Sequence, residues 1–124
     1  MATTQNVYMD FSGSVPFCSP VVSNRRDYKQ IAQISRAGNV TWYRPPEQIP
    51  PEAISKVQEI ADENRERFIA WARSEIDHRP AAMYSRMMAT IPANEANDLR
   101  ARYDYIHDCT GFCNVALATY INFV

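Results

Sequence analysis

The chain has 124 residues, of which 46% are hydrophobic and 11% aromatic, with 13 basic against 14 acidic residues. This length fits one domain that buries a core without a metal or a disulfide, and the apolar content with a net charge of −1 excludes a disordered chain. Apolar runs stay well short of the roughly 20 residues of a membrane span, and the N-terminal residues lack the basic and apolar regions of a signal peptide. We therefore predict a cytoplasmic protein with no membrane contact.

The charge balance changes near residue 45. Residues 1–44 carry five basic and two acidic residues, a net charge of +3, whereas residues 45–124 carry a net charge of −4. The composition changes at the same point, from a β-rich part (1–44) through a proline-rich connector (45–51) to a mainly helical part (52–124). We expect all three parts to form a single domain over 1–124.

The first half of the β-rich part contains one clear strand. Residues 6–11 alternate between polar and apolar side chains, with Val7, Met9 and Phe11 on the buried face. Residues 15–22 are interrupted by Pro16 and Pro20, which restricts them to an edge strand or an irregular connection.

The second half of the β-rich part contributes two more segments. Residues 28–35 fit a strand with Tyr28, Gln30, Ala32 and Ile34 on one face, or a helical turn. The strongly β-prone residues 40–43 follow a turn. These segments predict an antiparallel sheet of about three strands.

One long amphipathic helix is the most secure element. Pro51 suits a first helical turn, and Arg79 precedes Pro80, which ends the helix around residues 77–78. Apolar residues recur at spacings of three and four along one stripe, and Asn64 stands where an apolar residue is expected. The stripe consists of Ile54, Val57, Ala61, Phe68 and Trp71 or Ala72.

The remaining residues predict a C-terminal helical cap. We expect a short helix over 81–90 and a second one from Pro92 to about His107. Residues 114–124 are almost uncharged and fit either a buried helix or a strand. The predicted fold class is α+β: a small N-terminal antiparallel sheet packed by the long helix and the cap.

The sequence gives little support for an enzyme. Cys109 and Cys113 flank Gly111, which weakens a helix between them, and an odd total of three cysteines favours reduced thiols. A cysteine nucleophile at Cys109 would need His107 and Asp108 to converge on it, which adjacent helical positions do not allow. A metal site of His107, Cys109, Cys113 and His78 would contain only one ligand pair at the spacing of a zinc knuckle. Only three glycines are present, so no glycine-rich phosphate loop exists. We expect no enzyme, no cofactor and no metal.

Contact with another protein is the function that we predict. Arginine, tyrosine and tryptophan are favoured at protein interfaces, and acids crowd the long helix, where they would dock on a basic, nucleic-acid-binding groove. We expect a non-enzymatic protein-binding module, in particular a small phage or mobile-element inhibitor that blocks a host enzyme or defence complex. The predicted binding residues are Arg25, Arg26, Tyr28, Trp42, Tyr43, Arg44, Glu59, Glu63 and Glu66.

Three other interpretations stay open. The basic and aromatic residues of the N-terminal part would suit single-stranded nucleic acid, in which case affinity would depend on Arg25 and Arg26. A small cofactor-free enzyme would use His107 or His78. A homo-oligomer would cover the apolar tail at 114–124.

Overall fold

A computed structural model describes residues 4–10, 16–19, 28–104 and 109–124, and its fold is α+β as predicted. The strands are β1 (Thr4–Asp10), β2 (Pro16–Ser19), β3 (Tyr28–Ser35) and β4 (Val40–Trp42). The helices are α1 (Pro51–His78), α2 (Pro80–Thr90), α3 (Ala93–Arg102) and α4 (Cys109–Tyr120). Short 3₁₀ turns lie at Pro46–Gln48 and Ile121–Phe123.

The four strands form one antiparallel sheet in the order β2-β1-β3-β4. The sequence predicts about three strands, and the additional one is β2, from the segment assigned to an edge strand or a connection. β2 lies at the edge of the sheet and begins at Pro16, the position where a strand tolerates a missing N–H.

A β-bulge in β3 changes which residues share a face. Val7 pairs with Ala32 while Tyr8 pairs with Gln30, which leaves Ile31 as the extra residue. Ile31 and Ala32 are both fully buried in the core, and Gln30 is on the other face, where its amide donates to Asn6 Oδ1 at 3.1 Å. The prediction that Gln30 and Ala32 share a face is therefore wrong, because regular alternation does not continue through a bulge.

Helix α1 spans Pro51–His78, within a residue of the predicted bounds. Ala53, Val57 and Ala61 on its inner stripe join the sheet residues in one hydrophobic cluster. Asn64, the polar exception in the stripe, is half-buried and donates from Nδ2 to Gln5 Oε1 of β1 at 2.7 Å. Its place on the apolar stripe is therefore explained by a polar partner on the sheet.

The chain divides into two compact units, Met1–Phe68 and Ile69–Val124, with the boundary inside α1. The first unit contains the sheet and the N-terminal part of α1. The prediction of a single domain over 1–124 stays a prediction.

In the second unit the uncharged C-terminal segment is helical. α4 runs through Gly111 without interruption and buries Cys113, Ala116, Leu117 and Tyr120, so the strand alternative for 114–124 does not hold. Gly111 does not break this helix because the apolar residues around it gain more from burial than the glycine costs, roughly 1 kcal/mol.

Helix α3 is shorter than predicted. It ends at Arg102, where the prediction extends it to about His107, and residues 105–108 lie outside the described part of the chain. Arg100 and Arg102 supply positive charge to its last turn, where the helix dipole favours cations. In the described ranges, no helix has the length and apolar character needed to cross a membrane.

Candidate functional site

The predicted acidic residues of α1 lie on its outward face. A helix turns by about 100° per residue, so Glu59, Glu63 and Glu66 fall opposite Val57, which is fully buried against the sheet. All three glutamates are exposed. The side of the helix that packs on the sheet therefore fixes which side presents carboxylates to solvent.

Two further acids extend the same surface. Glu52 and Asp62 are also exposed and lie within the same sector, which covers about 100° of the helix circumference. Neither residue is among the predicted binding residues, although Asp62 lies three residues after Glu59 and Glu52 lies seven residues, about two helical turns, before Glu59. We call this surface the acidic face; it consists of Glu52, Glu59, Asp62, Glu63 and Glu66.

Few cations neutralise the acidic face. Lys56 Nζ lies 3.7 Å from Glu59 Oε2, and both side chains are more than half exposed, so water and salt screen this pair strongly. In the described part of the chain, it is the one ion pair that involves the acidic face. The surface therefore keeps a net negative charge.

Arg65 and Arg67 of α1 form no hydrogen bond to a carboxylate of the acidic face among the described residues. Arg67 donates from Nη2 to Asn64 Oδ1 at 3.0 Å and from Nε to the backbone carbonyl of Glu63 at 3.4 Å. Arg65 donates from Nη2 to Asn39 Oδ1 at 2.9 Å and from Nε to the carbonyl of Ala37 at 3.3 Å. Their guanidinium groups thus hydrogen-bond to helix backbone, amide side chains and the β3–β4 turn.

The aromatic residues predicted for binding occupy different environments. Trp42 is half-buried and packs against the core cluster. Tyr43 is 51% exposed, and its hydroxyl donates to Gln33 Oε1 at 2.8 Å on the sheet. Tyr28 begins β3. Trp42 is accordingly a packing residue first, whereas Tyr43 presents part of its ring to solvent.

The basic residues of the N-terminal part that the structure describes differ in exposure. Arg25 and Arg26 lie outside the described residues. Lys29 is exposed, while Arg36 and Arg44 are half-buried. The guanidinium carbon of Arg36 lies 5.4 Å from the centre of the Phe68 ring, so this arginine makes a cation–π contact within the first unit.

The histidine and cysteine residues considered for catalysis give no assembled site in the described residues. His78 is exposed at the end of α1, where its Nδ1 lies 2.7 Å from the carbonyl of Ser74. Cys113 is fully buried in α4, and Cys109 is the first residue of that helix. His107 lies outside the described residues. Within the described ranges, no three His, Cys, Asp or Glu side chains are grouped to hold a metal ion.

Comparisons of the chain with protein-family models, with curated proteins and with solved structures find no match.

Proposed function

We propose that the chain is a non-enzymatic protein-binding module that docks through the acidic face of α1 on a basic surface of another protein. The observation that carries this proposal is the grouping of five exposed carboxylates on the side of α1 opposite the core, with Lys56 as their one ion-pair partner in the described residues. Complementary charge accelerates encounter and selects the partner.

The rigidity of the surface supports the same function. The acidic face lies on a helix whose opposite side is buried against a sheet, and Arg65 and Asn64 tie that helix to the β3–β4 turn and to β1. The backbone positions that carry the carboxylates are therefore set before binding, so no helix has to form on association.

The finer proposal concerns the partner. A row of carboxylates along a helix resembles the row of negative phosphates along a nucleic-acid backbone. A basic, nucleic-acid-binding groove is therefore the surface that the acidic face fits best. We propose that the protein inhibits such a partner, as a small phage or mobile-element inhibitor of a host enzyme or defence complex would. A cytoplasmic location belongs to the same proposal, and the odd total of three cysteines supports it.

An affinity capture with two matched triple variants tests the proposal. The test variant carries Glu59→Gln, Glu63→Gln and Glu66→Gln on the acidic face. The control carries Glu47→Gln, Glu95→Gln and Asp104→Asn, which are exposed outside that face. Both variants lose three negative charges, and glutamine is about as good a helix former as glutamate, so helix stability changes little.

We expect the wild type and the control to capture the same protein from nuclease-treated host lysate, and the test variant to lose it. Binding should weaken with rising salt, and a single-stranded oligonucleotide should release the partner by competition. Equal loss in both variants would mean that total charge and not the acidic face decides binding. Capture of nucleic acid alone when nuclease is omitted would overturn the proposal in favour of the basic N-terminal part.

A further inference from the structure

The outer edge of β4 has backbone groups that none of the strands in the described ranges pairs. Thr41 lies opposite Gln33, Ser35 N–H donates to Asn39 C=O, and Tyr43 N–H donates to Ile31 C=O. In an antiparallel strand, the backbone N–H and C=O groups of every second residue form hydrogen bonds to one neighbouring strand, and those of the residues between them point to the other side. The N–H and C=O groups of Val40 and Trp42, which lie between these residues, therefore point away from β3.

These outward groups have no hydrogen-bond partner in the described residues. β4 is the terminal strand of the sheet, and it pairs with β3 alone. The backbone bonds of the turns and loops that flank β4 do not reach Val40 or Trp42. The edge therefore offers two donors and two acceptors in the plane of the sheet.

The two sheet edges differ in how they are protected. Proteins usually discourage pairing at an edge with a very short strand, proline, charge or a bulge. β2, at the opposite edge, begins at Pro16, whereas β4 reads Val40-Thr41-Trp42, three strand-forming residues without charge or proline. The short length of β4 limits how strong any pairing can be.

We infer that β4 associates with β4 of a second copy of this chain in an antiparallel arrangement with Thr41 on the two-fold axis. In this register Val40 of one protomer lies opposite Trp42 of the other, and each such pair exchanges two N–H···O=C bonds. All outward groups of both edges are then satisfied by four hydrogen bonds. The edge is thus self-complementary, as a two-fold interface requires.

The side chains fit the same register. Thr41 would face its own copy across the axis, and Val40 would face Trp42, which gives one threonine pair and two pairs of a β-branched with an aromatic residue. Both kinds of cross-strand pair are favourable, and no like charges meet. This arrangement uses neither the acidic face nor its partner, so it is independent of the proposed function.

Charge substitutions at Thr41 test the register, because this side chain is exposed and lies away from the core. The variants Thr41→Lys and Thr41→Glu each place like charges opposite each other, and Thr41→Val is the uncharged, β-branched control. Sedimentation velocity over micromolar to millimolar concentrations measures association, and circular dichroism checks that each variant is folded.

We expect the wild type and Thr41→Val to form dimers as concentration rises. Each charged variant alone should weaken association by roughly fivefold or more, and an equimolar mixture of the two should restore it. A wild type that stays monomeric throughout, or charged variants that dimerise like the wild type, would overturn the inference. Weakening of both variants without recovery in the mixture would overturn the register centred on Thr41.

Discussion

A Cβ atom on Gly38 would overlap the backbone carbonyl oxygen of Ala61 and lie 2.9 Å from Cβ of Arg65. Gly38 also has a φ of 83°, a backbone conformation that residues with a side chain rarely adopt. The turn between β3 and β4 therefore approaches α1 closely because this position has no side chain. Arg65 then hydrogen-bonds to Ala37 and Asn39 on either side of the glycine.

Gly38→Ala should lower the free energy of unfolding by about 2 to 4 kcal/mol, from the left-handed backbone and the steric overlap together. Urea denaturation followed by circular dichroism measures the change. Gly111→Ala is the contrasting variant, since Gly111 lies inside α4, where alanine should stabilise by up to about 1 kcal/mol. Equal effects at the two positions would show that Gly38 does not make the close approach described.

The bond between Asn64 and Gln5 predicts a measurable coupling. A double-mutant cycle with Asn64→Ala and Gln5→Ala should give a coupling energy of about 0.5 to 1.5 kcal/mol. This is the net contribution of one hydrogen bond between two side-chain amides, because each amide would otherwise bond to water. Asn64→Ala with Gln33→Ala is the control cycle, since Gln33 bonds to Tyr43, and there the effects should simply add. A zero coupling between Asn64 and Gln5 would contradict the contact.

The thiol of Cys113 should be protected in the folded protein. Its side chain is fully buried in α4, so an alkylating reagent can reach it only when that part of the chain opens. We expect the Cys113 peptide, identified by mass spectrometry, to react at least tenfold more slowly in native buffer than in denaturant. Rapid labelling of this peptide in native buffer would contradict the burial of α4.

Leu117 tests whether the C-terminal helix belongs to a core. Leu117 is 3% exposed, so Leu117→Ala should lower the free energy of unfolding by about 2 to 5 kcal/mol through lost burial and a residual cavity. Its neighbour Ala118 is exposed, and Ala118→Ser should change stability by less than about 0.5 kcal/mol. Thermal or urea denaturation distinguishes the two. Similar small effects would mean that the helix is not packed.

Elements that depend on local sequence were predictable without the structure. The bounds of α1 follow from Pro51 and Pro80 together with an apolar repeat of 3.6 residues, and both signals act within a few residues along the chain. The acidic face follows from the same repeat, because burial of Val57 determines that Glu59, Glu63 and Glu66 point outward. The sequence by itself therefore determined the fold class and the location of the charged surface.

Tertiary contacts decided the rest. The bulge at Ile31, the partner of Asn64 on β1 and the close approach of Gly38 to Ala61 each join residues more than 20 positions apart. No periodicity encodes such pairs, because their energy exists only after distant segments have packed. The placement of β4 at the edge of the sheet also depends on tertiary contacts, since β-prone residues occur in both central and edge strands.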